Sequence, residues 1–365
     1  MENNRAQMEY FWKKKEFISF VLCILVFLIH ISSFSPYLAG EGGTAVLNEK
    51  LSFFFKESIT RFAVPMFFIL SGIAFFRDYT NQKYLSKIKT RFFSLCIPYL
   101  IWNTLWMIFD LVCSCTVISS FFVGRKMFEL SVLNIFKGIF IYGANPPFWY
   151  IFYLIIFVLL SPLIDLLVRN KYIGIAITAV LASLSIFRIG NYYGFSYNAI
   201  VFYFLGAVLG KHYFAAVVKK TGRISRIFSA MFLFVYILFK NLFPINEYYL
   251  APFIKIVVFT LASYALWSLV DLFMDKISMR PIYTRSFLVY AMHINISAII
   301  YKICYLLLPK NGYMAIPNFL LTFTLTLLII NVFCIVVERF FPSVYALLIG
   351  KRIKIQRKKI SGADV

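Results

Sequence analysis

The chain is short of charge, shorter still of acids, and almost without histidine. Only 14% of its 365 residues are charged, 15 are Asp or Glu, and three are His. A soluble domain carries about 25% charged residues, so this shortage excludes an ordinary soluble fold. No Cys-x-x-Cys pair and no zinc-ligand spacing occurs among the six cysteines. Cys23, Cys96, Cys304 and Cys334 sit inside apolar runs, and Cys113 and Cys115 are too close in sequence for an easy mutual bridge. All six are read as small packing residues. There is no glycine-rich phosphate loop, no serine nucleophile elbow and no Cys–His pair. Asp110, Asp165, Asp271 and Glu338 fall near the ends of apolar runs, so the buried carboxylate relay of an ion-driven transporter is missing.

What remains is 61% hydrophobic, with a net charge of +22. The basic residues lie in short clusters between apolar runs. That spacing argues against a nucleic-acid surface and for orientation signals at a cytoplasmic membrane face. The predicted fold class is all-α, a polytopic bundle of about ten transmembrane helices in the cell membrane. Residues 1–16 form a basic cytoplasmic segment ending in Lys13, Lys14 and Lys15. The membrane domain covers 17–340, and 341–365 form a basic cytoplasmic tail.

Phe17–Leu38 has no Asp, Glu, Lys or Arg and is long enough to span. Leu38-Ala39-Gly40 is a poor cleavage site, so this run is expected to be a retained first helix rather than a signal peptide. The further helices are predicted at 61–76, 92–119, 148–168, 172–187, 198–210 (interrupted by Gly206), 227–243, 252–274, 286–308 and 316–337. The longest outer loop runs from 120 to 147 and closes with Asn145-Pro146-Pro147. Of the 37 lysines and arginines, 26 then fall on the side of the N-terminus, eight on the other side (Lys240 among them, at the outer end of its helix) and three elsewhere within or at the ends of helices. Both termini are therefore expected in the cytoplasm.

The chain is organised around Arg61–Phe76, RFAVPMFFILSGIAFF. Pro65 cannot bond the carbonyl of Arg61, four residues back. One turn thus combines a cation, a freed acceptor and a bend, which lipid tolerates only where it faces protein or water. Ser71-Gly72 would let a helix or ligand approach closely. A snorkelling arginine beside an ordinary proline bend is the competing reading. In helix one, Ser19, Cys23 and His30 fall near one face, with Ser33 a turn beyond. A neutral imidazole there suits proton transfer near neutrality; a core histidine bonded to a carbonyl is the alternative. Ser286, Tyr290, His293 and Ser297 line one face of the ninth helix, either a functional face or a hydrogen-bond seam. His212, in a basic loop, is read as inert.

These stretches resemble the acyltransferase 3 family of ten-helix membrane acyltransferases. The resemblance is carried by FVLCILVFLIH ending at His30 and by Arg61 to Pro65 with Phe67 to Gly72. Arg91 with Pro98-Tyr99, and Ser286-Phe287 with Tyr290 and His293, add to it. Phe148-Trp149-Tyr150 and Phe204-Leu205-Gly206 are weaker matches. The likeness spans residues 17–337. It implies O-acylation, most often O-acetylation, of a surface polysaccharide or its lipid-linked precursor, with acetyl-CoA or another acyl-CoA as co-substrate and no metal. It implies a catalytic role for His30, expected here as general base or transient acyl carrier. Beside it Arg61 is expected to orient the acceptor or stabilise the oxyanion, Tyr290 and His293 to line the donor path, and Ser71 and Trp149 to contact substrate. Two departures stand out. Many members have arginine eleven residues before the histidine, where this chain has Ser19; three turns would place the two about 16 Å apart on one face. Donor binding is therefore expected at Lys15 and Arg91. Many members also have histidine before the helix-four tryptophan, where this chain has Phe148. No hydrolase-like domain is fused to the bundle, so transfer would finish within it or with a partner. Membrane lipid, self-association and polysaccharide-synthesis proteins are the other partners considered, and nucleic acid is not. The rival readings are a glycan or acyl-group transporter without ester chemistry, and a subunit that only organises a synthesis complex.

Overall fold

The structure, a computed structural model, describes residues 2–32, 34, 37, 43–115, 131–141, 144–185, 197–243 and 252–351. Every regular element among them is helical. The first is α1, Glu2–Ile31, so the basic segment and the first apolar run are one helix. Then come α2 (Gly43–Phe53) and a π-helical turn (Phe54–Ser58). The run continues through α3 (Ala63–Phe76), α4 (Tyr84–Arg91), a second π turn (Phe92–Cys96) and α5 (Ile97–Cys115). The second half of the predicted outer loop contains a helix, α6 (Val132–Phe140), started by the Ser131 side chain accepting from the Asn134 amide. Beyond it lie α7 (Trp149–Leu159), α8 (Ser161–Val168), α9 (Lys171–Leu184), α10 (Tyr197–His212) and the short α11 (Phe214–Val217). The chain ends with α12 (Arg223–Leu242), α13 (Pro252–Val270), α14 (Pro281–Thr284), α15 (Ser286–Leu307), α16 (Ala315–Phe340) and α17 (Pro342–Leu348).

Among the described residues six helices are long and apolar enough to cross a membrane, or seven if the bent pair α7–α8 counts as one crossing. The expected number was about ten. The shortfall lies in α9 and α10, 14 and 16 residues long, roughly 21 and 24 Å against a hydrocarbon core of ~30 Å. It also lies in α1, whose charged first half continues straight into the apolar half. Apolar side chains such as Phe234 of α12 and Leu320 and Leu328 of α16 stand exposed on the outside of the bundle, which suits a lipid surface.

Two predicted elements differ in kind. Helix four breaks at Leu160 with a bend of 69°. Pro162 supplies no N–H to the Val158 carbonyl, and the Ser161 hydroxyl takes that acceptor instead at 2.8 Å. Helix six has no interruption at Gly206. The glycine is instead a contact point: a Cβ there would run into the Ile69 carbonyl, and Cβ atoms at Gly72 and Gly210 would lie 2.5 Å from the Tyr203 carbonyl and 2.6 Å from that of Ile73. The three glycines let α3 and α10 pack backbone to backbone, the closest helix pair in the fold.

Paired charges gather at one end of the bundle, called here the basic end. Lys14 binds Asp271 at 2.5 Å with both side chains buried. Lys211 pairs with Asp165, Arg285 with Glu338 at 3.0 Å, and Lys87 with Asp78 at 2.6 Å. The acids near helix ends thus serve to tie helices together. Asp271 also accepts from the Thr221 amide and the Tyr10 hydroxyl. Burial would raise its carboxyl, but these donors and Lys14 outweigh it and hold the group below the usual carboxylate range. His212, predicted in a loop, is the last residue of α10 and meets the Val168 carbonyl at 2.7 Å.

Candidate functional site

His30 sits in the last turn of α1, at the end opposite the basic one. Its neighbours Phe27 and Ile31 are 0% and 4% exposed, yet its own ring is exposed. That ring lies 5.3 Å from the ring of His293, which is 1% exposed. The first and ninth predicted helices do therefore bring their histidines together. The pair thus sets an exposed imidazole against a buried one.

His293 has a fixed tautomer. Its Nδ1 faces the carbonyls of Val289 (3.1 Å) and Tyr290 (2.8 Å). Both are acceptors only, so Nδ1 carries the proton and donates. Nε2 is then left with its lone pair, buried and without a hydrogen-bond partner. The expected seam along this face is real in part: Cys23 of α1 donates to the Ser286 carbonyl at 3.3 Å, while Ser297 bonds within its own helix. Ser33 lies outside the described residues.

The segment that was to close the outer loop instead enters the bundle. Asn145, Pro147 and Phe148 are buried. The Asn145 amide donates to the Ala291 carbonyl at 3.1 Å, as does the Trp106 indole at 2.9 Å. The Tyr290 hydroxyl donates to the Pro147 carbonyl, and Phe148 stacks on Tyr290 with ring centroids 5.7 Å apart. Two prolines and a buried asparagine are tolerated here because α15 satisfies the irregular backbone. Sequence reasoning missed Asn145 and Trp106, since each is isolated in its own run and only the fold brings it to α15.

Ser71 reaches this cluster through Tyr150. The two hydroxyls are 2.8 Å apart, and the Tyr150 ring lies 6.2 Å from that of Tyr290. Trp149, the residue singled out from sequence, turns instead toward Phe68 and Tyr153. Tyr150, in the same aromatic doublet, is the one that links α3 to α15.

Arg61 sits in the turn between the first π segment and α3. Its guanidinium is paired with Glu57 one turn earlier, Nε meeting Oε2 at 2.8 Å. Pro65 falls in the first turn of α3, where its missing N–H costs nothing. The expected bend is therefore a helix start. His30 feels the charges of both Arg61 and Lys56, so the arginine does reach the histidine's surroundings.

Lys15 and Arg91 lie at the basic end. Arg91 ends α4, and its charge acts on Lys15 of α1 and on Tyr150 and Tyr203 deeper in the bundle. Both cations are half-buried, and neither has a salt-bridge partner among the described residues. Burial, then Arg91, push Lys15 down to about 8, against a smaller opposing effect from Glu16. Two cations near each other in a partly buried place make the local potential positive, which favours an anion. Among the described residues no group of His, Cys, Asp and Glu could hold a metal ion.

Set beside known proteins, the chain matches one family, described as acyltransferase domain, over residues 17–338. No curated protein and no solved structure matches it.

Proposed function

The chain belongs to this acyltransferase family as a multi-pass membrane protein, and from that premise we propose that it is an O-acyltransferase of the plasma membrane. It moves an acyl group, acetyl in the first instance, from a cytoplasmic CoA thioester to a hydroxyl of a cell-surface glycan or its lipid-linked precursor. In this reading α1, α9 and α10 are short crossings, which brings the count to ten with both termini cytoplasmic. The basic end is the cytoplasmic end, as the excess of lysine and arginine there requires.

The observation that carries the reading is the His30–His293 pair at one end of α1 and the unneutralised Lys15–Arg91 pair at the other. Fifteen residues of helix separate Lys15 from His30, about 22 Å, a distance of the order of an extended phosphopantetheine arm. Lys15 and Arg91 hold the donor's phosphates. Arg91 supplies, from another helix, the guanidinium missing at Ser19. Cys23, Tyr150 and Tyr290 line the way between the two ends. His30 takes the proton from the acceptor hydroxyl as its oxygen bonds to the thioester carbonyl carbon. The carbonyl oxygen gains negative charge, which Arg61 stabilises. The C–S bond then breaks, the ester remains on the glycan, and the thiolate leaves with the proton returned by His30. His293, with its Nδ1 proton committed to backbone carbonyls, keeps an acceptor facing the pair. Ser71 contacts substrate from α3 beside Tyr150, and Trp149, packed on Phe68 and Tyr153, buttresses that contact from α7.

A second reading as a glycan or acyl-group transporter draws on the broken α7–α8 pair and the buried 144–148 segment, since discontinuous helices line transport sites. The test compares surface glycan from wild-type, deletion and His30→Ala cells by proton NMR before and after mild base. Base-labile acyl signals present only in wild type support the transferase. Unchanged ester content with altered glycan export overturns it in favour of transport.

A further inference from the structure

Helix α3 has two differently used faces. Ser71 points toward Tyr150, whereas Met66, Leu70 and Ile73 look the other way, into a cleft of about 650 Å³. Leu205 of α10 and Trp267 of α13 lie across it. Two of the hydroxyls that line it are spent inside their own helix: Thr260 donates to the Ile256 carbonyl at 2.8 Å and Ser263 to that of Phe259 at 2.7 Å. A sugar or nucleotide would lose its water there and gain almost nothing in return. A hydrocarbon chain loses nothing. The flank is open, since Leu261 and Tyr264 on α13 are 45% and 51% exposed, so a chain can enter sideways from the bilayer.

The mouth at the basic end has a definite sign. Lys219 and Lys220 line it. Lys219 is exposed and makes no salt bridge among the described residues. Lys220 shares Asp275 at 2.6 Å, both side chains about half exposed or more. Asp271, the nearest buried acid, is already matched by Lys14. The mouth therefore favours an anion directly above an apolar cleft.

We propose that this cleft binds an anionic phospholipid, one acyl chain lying between α3, α10 and α13 and the phosphate meeting Lys219 and Lys220. The proposal does not rest on the acyltransferase reading, because neither histidine lines the cleft.

The test exposes the purified full-length protein to equal amounts of phosphatidylglycerol and phosphatidylcholine with matched chains, and counts retained lipid by native mass spectrometry. The wild type should retain phosphatidylglycerol with roughly tenfold preference, as two lysines near the headgroup imply. K219Q/K220Q should bring that preference to within about twofold. Ala216→Trp, at an exposed position lining the cleft, should cut retention of both lipids. Leu261→Trp repeats that test should the first substitution lower the melting temperature. Equal retention of the two lipids by wild type overturns the proposal. So does unaltered retention in both filled variants, which would put the lipid outside the cleft. Preferential retention of an added polyprenyl phosphate over phosphatidylglycerol overturns the assignment to a phospholipid.

Discussion

His30 and His293 differ in what their rings can still do. His293 Nδ1 donates its hydrogen to two carbonyls of its own helix, while His30 is exposed and neither of its nitrogens is hydrogen-bonded among the described residues. In the proposed reaction the proton-transfer role therefore falls to His30. His30→Ala should lower ester content on the glycan by about 10²–10⁴-fold with the amount of membrane-inserted protein unchanged; blotting of membrane fractions checks the second point. Lys15 carries a pH prediction. It titrates at about 8, and donor phosphates need its charged form. Below that value the cation is present; as pH rises through it the cation is lost. The donor KM should thus rise roughly tenfold between pH 7 and 9, the loss of one charged group through its titration range, and Lys15→Gln should flatten the rise. An unchanged slope in the variant would remove Lys15 from the donor site.

At the scale of elements, the α3–α10 seam is the part least able to change. A Cβ at Gly206 meets the Ile69 carbonyl, which belongs to backbone and cannot move aside as a side chain would. Gly206→Val should force the helices apart. A fall of several degrees in melting temperature in detergent, with earlier proteolysis between α10 and α11, is the expected outcome. This seam was half legible in the sequence. Ser71-Gly72 announced a close approach, but the partner stayed hidden, because Gly206 looked like a helix interruption. The boundaries of α3, α15 and α16 were clear from long apolar runs. The break at Leu160 and the burial of Asn145 and Pro147 were not. Prolines beside an apolar run read as the edge of a loop, and only the Ala291 carbonyl and the Tyr290 hydroxyl, far away in sequence, make the burial of Asn145 and Pro147 tolerable. For the same reason the two histidines were legible singly as candidates, but not as a pair.

At the scale of the whole molecule, the buried ion pair Lys14–Asp271 pins the first helix to the end of α13. Asp271 has four donors or cations around it. Asp271→Asn removes the counter-charge and leaves Lys14 buried against Trp267, 4.0 Å from its ring. Such uncompensated charges cost about 3–5 kcal/mol. The variant should melt earlier and recover when Lys14→Met is added, which a thermal shift series can follow. Here too the sequence showed only the parts: Lys14 read as one of three orientation signals and Asp271 as an acid at a helix end.

The inserted segment at 144–148 has a consequence for how the protein is made. Asn145 is held by the carbonyl of a residue 146 positions further on. A ribosome adds about 5–20 residues per second, so roughly 7–30 s pass before that partner has been synthesised. During that interval the Asn145 amide lacks its acceptor and the Pro147 carbonyl its donor, Tyr290, and both must wait at the membrane's aqueous border. The bundle therefore cannot be completed in the order in which its helices emerge. A nascent chain halted before Ser286 should leave a cysteine placed at Asn145 open to a water-soluble maleimide, and release of the full chain should close it.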